Sequence, residues 1–206
     1  MKHLSLLLSF FLLTSVSVFS QVGMQVGLNT TSYRLTRSGS HESRGMNFTY
    51  NAGLVFRLPG KKICLQPSLL YSMKGAINNN STDSVLKYIN KLGYLELSVP
   101  ILVKVPFAGK KNTFDFGVGP YAGRLITAFS KAQLLYGGSK TTDFKTGSAT
   151  TNDFKNMDYG LAIYVGTRFN HFNINFTYDL GLYDVDPNTN RSIKNRCFSL
   201  NMGVFF

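Results

Sequence analysis

Few side chains in this chain have the type and spacing that chemistry needs. Gly117, Gly119 and Gly123 approach a dinucleotide-binding turn, but the third glycine comes one place late and no helical periodicity follows. Cys64 and Cys197 are the two cysteines, too few for a disulfide framework and on strands not expected to be neighbours. His41 sits among Ser38, Ser40, Glu42 and Ser43, and His171 lies in a tight turn. A lone histidine in a serine-rich loop is ordinarily solvated, so it is not expected to be catalytic, and no metal cluster can be assembled. Neither a catalytic residue, a cofactor nor a metal is expected. What remains is a set of charges inside apolar alternation: Arg57, Glu96, Lys104, Asp115, Arg168 and Asp179.

The elements that carry them read as strands. Only 16% of the 206 residues are charged, 44% are hydrophobic and 14% are aromatic, with no tryptophan. From Met46 to Leu58 every even position is apolar, and Leu95 to Phe107 keeps Leu95, Leu97, Val99, Ile101, Val103, Val105 and Phe107 on one face. Ile63–Met73, Phe172–Leu182 and Phe198–Phe206 alternate in the same way, and Val22–Leu28, Phe114–Phe129 and Tyr159–Phe169 do so more weakly. Period two over such runs means strands with one apolar face. Parity slips near Arg124, where a bulge or an exit from the apolar layer is expected. The count is eight strands.

Connection lengths alternate as well. Pro59–Lys61, Ala108–Asn112 and Asn170–His171 read as tight turns, whereas Thr30–Gly45, Ala76–Asn90, Ser130–Met157 and Asp184–Asn195 read as long polar loops. Short turns on one side, long loops on the other and an even strand count predict an all-β, antiparallel, up-and-down transmembrane barrel of the outer-membrane kind. A soluble barrel would also alternate, with its apolar face inward. Against it, the polar face is Asn, Ser, Thr, Gln and Gly, and charge gathers in loops and turns. The outward aromatics also sort by depth. Phe56, Phe107, Phe114, Phe169, Phe172 and Phe206 fall at the short-turn ends, and Tyr50, Tyr71, Tyr159 and Tyr178 toward the loops. Lys2 and His3 followed by the apolar Leu4–Phe19 stretch predict a signal peptide over 1–20, cleaved near Ser20, and a barrel domain over 21–206. The formal charge of +12 points to anionic partners, but an exported chain without a basic face is not expected to bind nucleic acid.

The residues resemble the PorT-like outer-membrane β-barrel family. The resemblance rests on Leu65-Gln66-Pro67-Ser68-Leu69-Leu70-Tyr71-Ser72-Met73-Lys74-Gly75, on Tyr94-Leu95-Glu96 leading to Pro100 and Lys104, and on Gly117-Val118-Gly119-Pro120-Tyr121-Ala122-Gly123. The ending Leu200-Asn201-Met202-Gly203-Val204-Phe205-Phe206 fits too, although the proline follows Glu96 two residues later than is usual. The resemblance implies an outer-membrane barrel, with some members tied to protein secretion.

Three site-level expectations follow. If the Ala108–Asn112 hairpin is symmetric, Lys104 faces Asp115 across the strands as an ion pair in the lumen, with Arg57 and Arg168 at the same periplasmic level and Glu96 and Asp179 higher. Phe198, Leu200, Met202, Val204 and Phe206 form a lipid-facing C-terminal assembly signal on a strand that closes the barrel against Val22–Leu28. The function expected is structural or interactive, with a lumen filled by side chains and a role accessory to secretion by resemblance. The alternatives are a small-solute channel and, less so, a lipid-modifying enzyme. The expected partners are outer-membrane lipids and lipopolysaccharide, the barrel-insertion machinery and a protein at the outer loops.

Overall fold

The structure, a computed structural model, describes residues 21–37, 40–43, 45–78, 85–107, 112–188 and 190–206. The expected signal peptide and most of the Ala108–Asn112 turn lie outside the described residues. The described residues form twelve strands: β1 (Gln21–Arg37), β2 (Ser40–Ser43), β3 (Asn47–Arg57), β4 (Ile63–Leu65), β5 (Ser68–Asn78), β6 (Val85–Ser98), β7 (Ile101–Pro106), β8 (Asn112–Leu134), β9 (Ser139–Asp143), β10 (Met157–Phe169), β11 (Phe172–Gly181) and β12 (Arg191–Phe205).

They make one closed antiparallel ring of eight barrel strands. β1 pairs with β3, β3 with β5, β5 with β6, β6 with β8, β8 with β10, β10 with β11 and β11 with β12, and β12 returns to β1. Two barrel strands are each interrupted by a proline. β4 and β5 are one strand broken at Gln66-Pro67, and β6 and β7 are one strand broken at Val99-Pro100. Proline has no N–H for the ladder, so the break falls where it stands. The ladder continues through its neighbours, Phe56 donating to the Pro67 carbonyl (2.7 Å) and Gln66 to that of Pro100 (3.1 Å). Sequence alternation alone runs straight through both prolines. The parity slip near Arg124 is a bulge: Gly93 pairs with Thr127 and Tyr94 with Leu125, leaving Ile126 over.

The bounds of the outer loops are a correction, the strands reaching further than expected. β1 runs to Arg37, β8 to Leu134, and β2 and β9 lie wholly inside stretches read as loop. The strands simply continue above the lipid band, because backbone groups there still need partners and the ladder supplies them.

The faces of a strand change character with height. Along β1, Val22, Met24, Val26 and Leu28 are exposed outward, while Gln25, Asn29 and Thr31 are buried inward. Further up the same strand Tyr33 and Leu35 are the buried residues, and Arg34 is exposed. In the lower part the barrel is apolar outside and polar inside. In the upper part it is an ordinary hydrophobic core, in which Leu92, Leu125 and Ile193 pack with Phe154 and Val185 from the loops. Outward aromatics meet one another near both ends of the ring. Phe107 stacks on Phe114 (4.1 Å) and meets Phe169 edge-on (5.6 Å) at the periplasmic end, and Tyr50 neighbours Tyr71 (6.4 Å) toward the loops.

Candidate functional site

The lumen is filled by three polar layers, each built by the inward parity of several strands. The outermost centres on Lys74, whose ammonium is buried between Glu96 (2.6 Å), Asp158 (3.3 Å) and Asp179 (3.4 Å). It also lies 4.1 Å from the centre of the Tyr121 ring, a cation–π contact inside a desolvated site. Asp158 further accepts from Asn195 Nδ2 at 2.9 Å. Gly123 lets this layer close, since a Cβ there would press on the Tyr94 side chain at 3.2 Å. Three carboxyl groups share one ammonium, and each strand contributing one is tied to the others through Lys74.

Below it runs a chain of amides. Asn51 Nδ2 donates to Asn29 Oδ1 (2.6 Å) and Asn201 Oδ1 (2.8 Å), and Asn201 Nδ2 donates to Asn175 Oδ1 (2.9 Å). Asn175 Nδ2 then donates to Asn173 Oδ1 (2.6 Å), and Asn173 Nδ2 to the Tyr164 hydroxyl (2.9 Å). An amide both donates and accepts, so five asparagines link across the lumen without charge, with Asn51 Oδ1 buried and outside the chain of bonds. Gly27 makes room for the crossing, because a Cβ there would collide with the Asn201 and Asn51 side chains. The space left at this level is about 30 Å³, room for a water and no solute.

The periplasmic layer holds Arg57 and Asp115 (2.8 Å), with Thr113 donating to the same carboxylate (2.8 Å). The expected register of the hairpin is present, Lys104 lying opposite Asp115. The expected ion pair is a correction: Asp115 takes Arg57 from across the lumen, and Lys104 donates instead to the Gly60 carbonyl. The bore is narrow enough for a long side chain to span, and a planar guanidinium engages carboxylate better than a flexible ammonium does. Arg168 donates to Gln21 Oε1 at 2.9 Å. Cys64 and Cys197 are both free and buried in different layers.

Of the expected lumen charges, Glu96 and Asp179 are thus brought together and Arg57 and Asp115 are paired. Lys74 and Asp158, which organise the outer layer, are absent from the expectation. Parity had the information for both. Lys74 continues the inward row Ser68, Leu70, Ser72, and Asp158 precedes Gly160, Ala162, Tyr164 by one step. Both stand just beyond the ends assigned to their strands.

The outer mouth is capped. Phe154 contacts Phe144 (5.0 Å) and Tyr33 (6.2 Å), and Lys155 donates to the Val185 carbonyl (2.8 Å), tying one loop to the next. In this apolar setting burial, with Tyr94 and Asp158 nearby, pushes the Tyr33 phenol well above its ordinary range, so it stays neutral. The final strand places Phe198, Leu200, Met202, Val204 and Phe206 outward and exposed, while Phe205 is buried with Val55 and Leu70. Phe206 closes the seam, its N–H donating to the Val22 carbonyl (2.8 Å).

No curated protein matches the sequence. Among solved structures, the attachment invasion locus protein Ail of Yersinia pestis is 12% identical with a TM-score of 0.45, covering 91% of this chain and 99% of its own. Ail has also been solved with the heparin analogue sucrose octasulfate, with 13% identity and a TM-score of 0.44. Neisserial surface protein A is 11% identical with a TM-score of 0.44, covering 89% of this chain and 97% of its own. The outer membrane protein beta-barrel domain family matches residues 17–186, most of the ring whose lipid-facing band and closed seam are described above. A closed eight-stranded ring, apolar outside and polar within, together with that match, makes this chain a member of the outer membrane protein beta-barrel domain family.

Proposed function

We propose that the protein is a non-conducting barrel of the outer membrane that serves as a structural and interaction element, with its specificity carried by the outer loops and their cap. The observation that carries this reading is the filled bore: the Lys74 cluster, the amide chain and a residual space of about 30 Å³ stand in series. No reaction is assigned to it. The Leu65–Gly75 and Gly117–Gly123 motifs support a PorT-like member accessory to protein secretion, exported by a signal peptide cleaved near Ser20. The outward row Phe198–Phe206 supports recognition by the barrel-insertion machinery, and outer-leaflet lipopolysaccharide is the lipid that the upper rim meets.

Planar-bilayer recording of purified protein tests this. The expected trace is flat, and stable stepwise openings would overturn the plug. Cross-linking in intact outer membranes is expected to capture a secretion component through the loops, and recovery of lipids alone would reject the accessory role.

A further inference from the structure

The periplasmic mouth carries an imbalance that the fold does not need. Arg57, Lys104 and Arg168 all face one cavity of about 310 Å³, roofed by the Pro59-Gly60 turn and walled by Gln21. One carboxylate, Asp115, answers three cations, and it is already engaged by Arg57 and Thr113. Among the described residues no acid lines the cavity itself, and Asp115 reaches it only through Arg57. Among the described residues Lys104 donates to the Gly60 carbonyl, and the repulsive field of Arg57 and Arg168 acts on it against the attraction of Asp115. Arg168 spends one nitrogen on Gln21, and its Nε is enclosed without an acceptor.

Filling the bore needs no net positive charge, as the amide layer shows. Uncompensated cations beside a low-dielectric bore raise the free energy of the empty barrel, and an enclosed guanidinium N–H without an acceptor adds to it. The arrangement instead suits a ligand with several acceptor oxygens and negative charge, since a guanidinium fork and an ammonium together complement phosphate or carboxylate. The sealed lumen above makes the cavity a dead end, open to the periplasm alone.

We infer that the periplasmic mouth is an oxyanion-binding site, in which Arg168 and Lys104 hold a phosphate or carboxylate group and Arg57 is kept in place by Asp115. The group comes either from a soluble periplasmic anion or from an inner-leaflet phospholipid headgroup whose phosphate reaches into the mouth.

The test uses the full mature chain in a phosphate-free maltoside detergent, titrated with inorganic phosphate by calorimetry at constant ionic strength, with chloride as the control anion. Saturable binding of phosphate and none of chloride is expected. Loss of one charge-assisted hydrogen bond should weaken phosphate about tenfold in Lys104→Gln and again in Arg168→Gln. Arg168→Lys keeps the charge but loses the fork, so it should fall between wild type and Arg168→Gln. It remains informative if the neutral variant does not fold. Lys194→Gln, on the outer rim, should bind as wild type does. Displacement of phosphate by one equivalent of phosphatidic acid identifies a headgroup as occupant, and its failure identifies a soluble anion. Absence of saturable binding to wild type, or binding unchanged in Lys104→Gln and Arg168→Lys, would overturn the site.

Discussion

The lower and upper parts of this barrel use one backbone pattern with opposite interiors. Below Thr31 the inward face is mostly amide, hydroxyl and charge, with small apolar clusters such as Val55, Leu70 and Phe205 between the polar layers, and the outward face is apolar. Above it the inward face is Tyr33, Leu35, Leu92 and Ile193, and the outward face carries Arg34 and Lys194. At the seam the strands run through both parts unbroken, β1 and β12 staying in one register from Gly23↔Phe205 to Arg37↔Arg191. What changes is the solvent. In hydrocarbon the outside must be apolar, and the hydrophobic effect then gives no reason to bury apolar groups inside. In water the usual preference returns and the barrel becomes a small soluble domain standing on a membrane protein. The Lys74 cluster lies at the junction, where the polar interior ends and the apolar one begins.

The largest effect should come from breaking that junction. Lys74→Met leaves three buried carboxylates without their cation and should cost about 3–5 kcal/mol, read as a lowered urea midpoint of protein folded in detergent. Glu96→Gln removes one of three like charges and should cost clearly less. Equal losses in the two variants would mean that Lys74 is not the hub. The upper part is probed by Phe154→Ala, which opens the cap and should cost about 3 kcal/mol locally. Amide exchange is expected to rise around Phe144, Phe154 and Val185 while the strands below stay protected. Uniform loss of protection would mean that the two parts unfold as one.

The inversion itself is sharpened on a single strand. Val26→Arg, in the lipid band, should destabilise by about 2 kcal/mol or more, whereas Ser32→Arg, six residues on and also outward, should be nearly neutral. Similar costs at both sites would move the upper edge of the bilayer above Ser32. The smallest effect on stability is expected from Phe206→Ala, since Phe206 is 72% exposed and keeps its backbone bond to Val22. If the final row is an assembly signal, membrane levels of that variant fall in cells while the refolded protein keeps nearly its wild-type midpoint. Normal levels would reduce Phe206 to one more residue of the aromatic ring.

Much of this was legible from residue order alone. Period two from Leu95 to Phe107, or from Phe198 to Phe206, is a property of neighbours in sequence, and with the alternation of short and long connections it determines strand count, hand of exposure and membrane setting. The opposition of Lys104 and Asp115 was also within reach, because a hairpin's register is local. Who pairs with whom across the bore was not. Arg57 meets Asp115, and Lys74 meets Asp158 and Asp179, over separations of many tens of residues, once the ring has closed and opposite walls stand a side chain apart. The strand ends were misjudged for a related reason. Above the bilayer both faces of β1 and β8 lose the clean apolar row that marks a strand, while hydrogen bonding to neighbours carries the ladder on. Alternation is written into the chain one residue at a time. Closure, cross-lumen pairing and the apolar cap depend on distances that exist only in the folded ring.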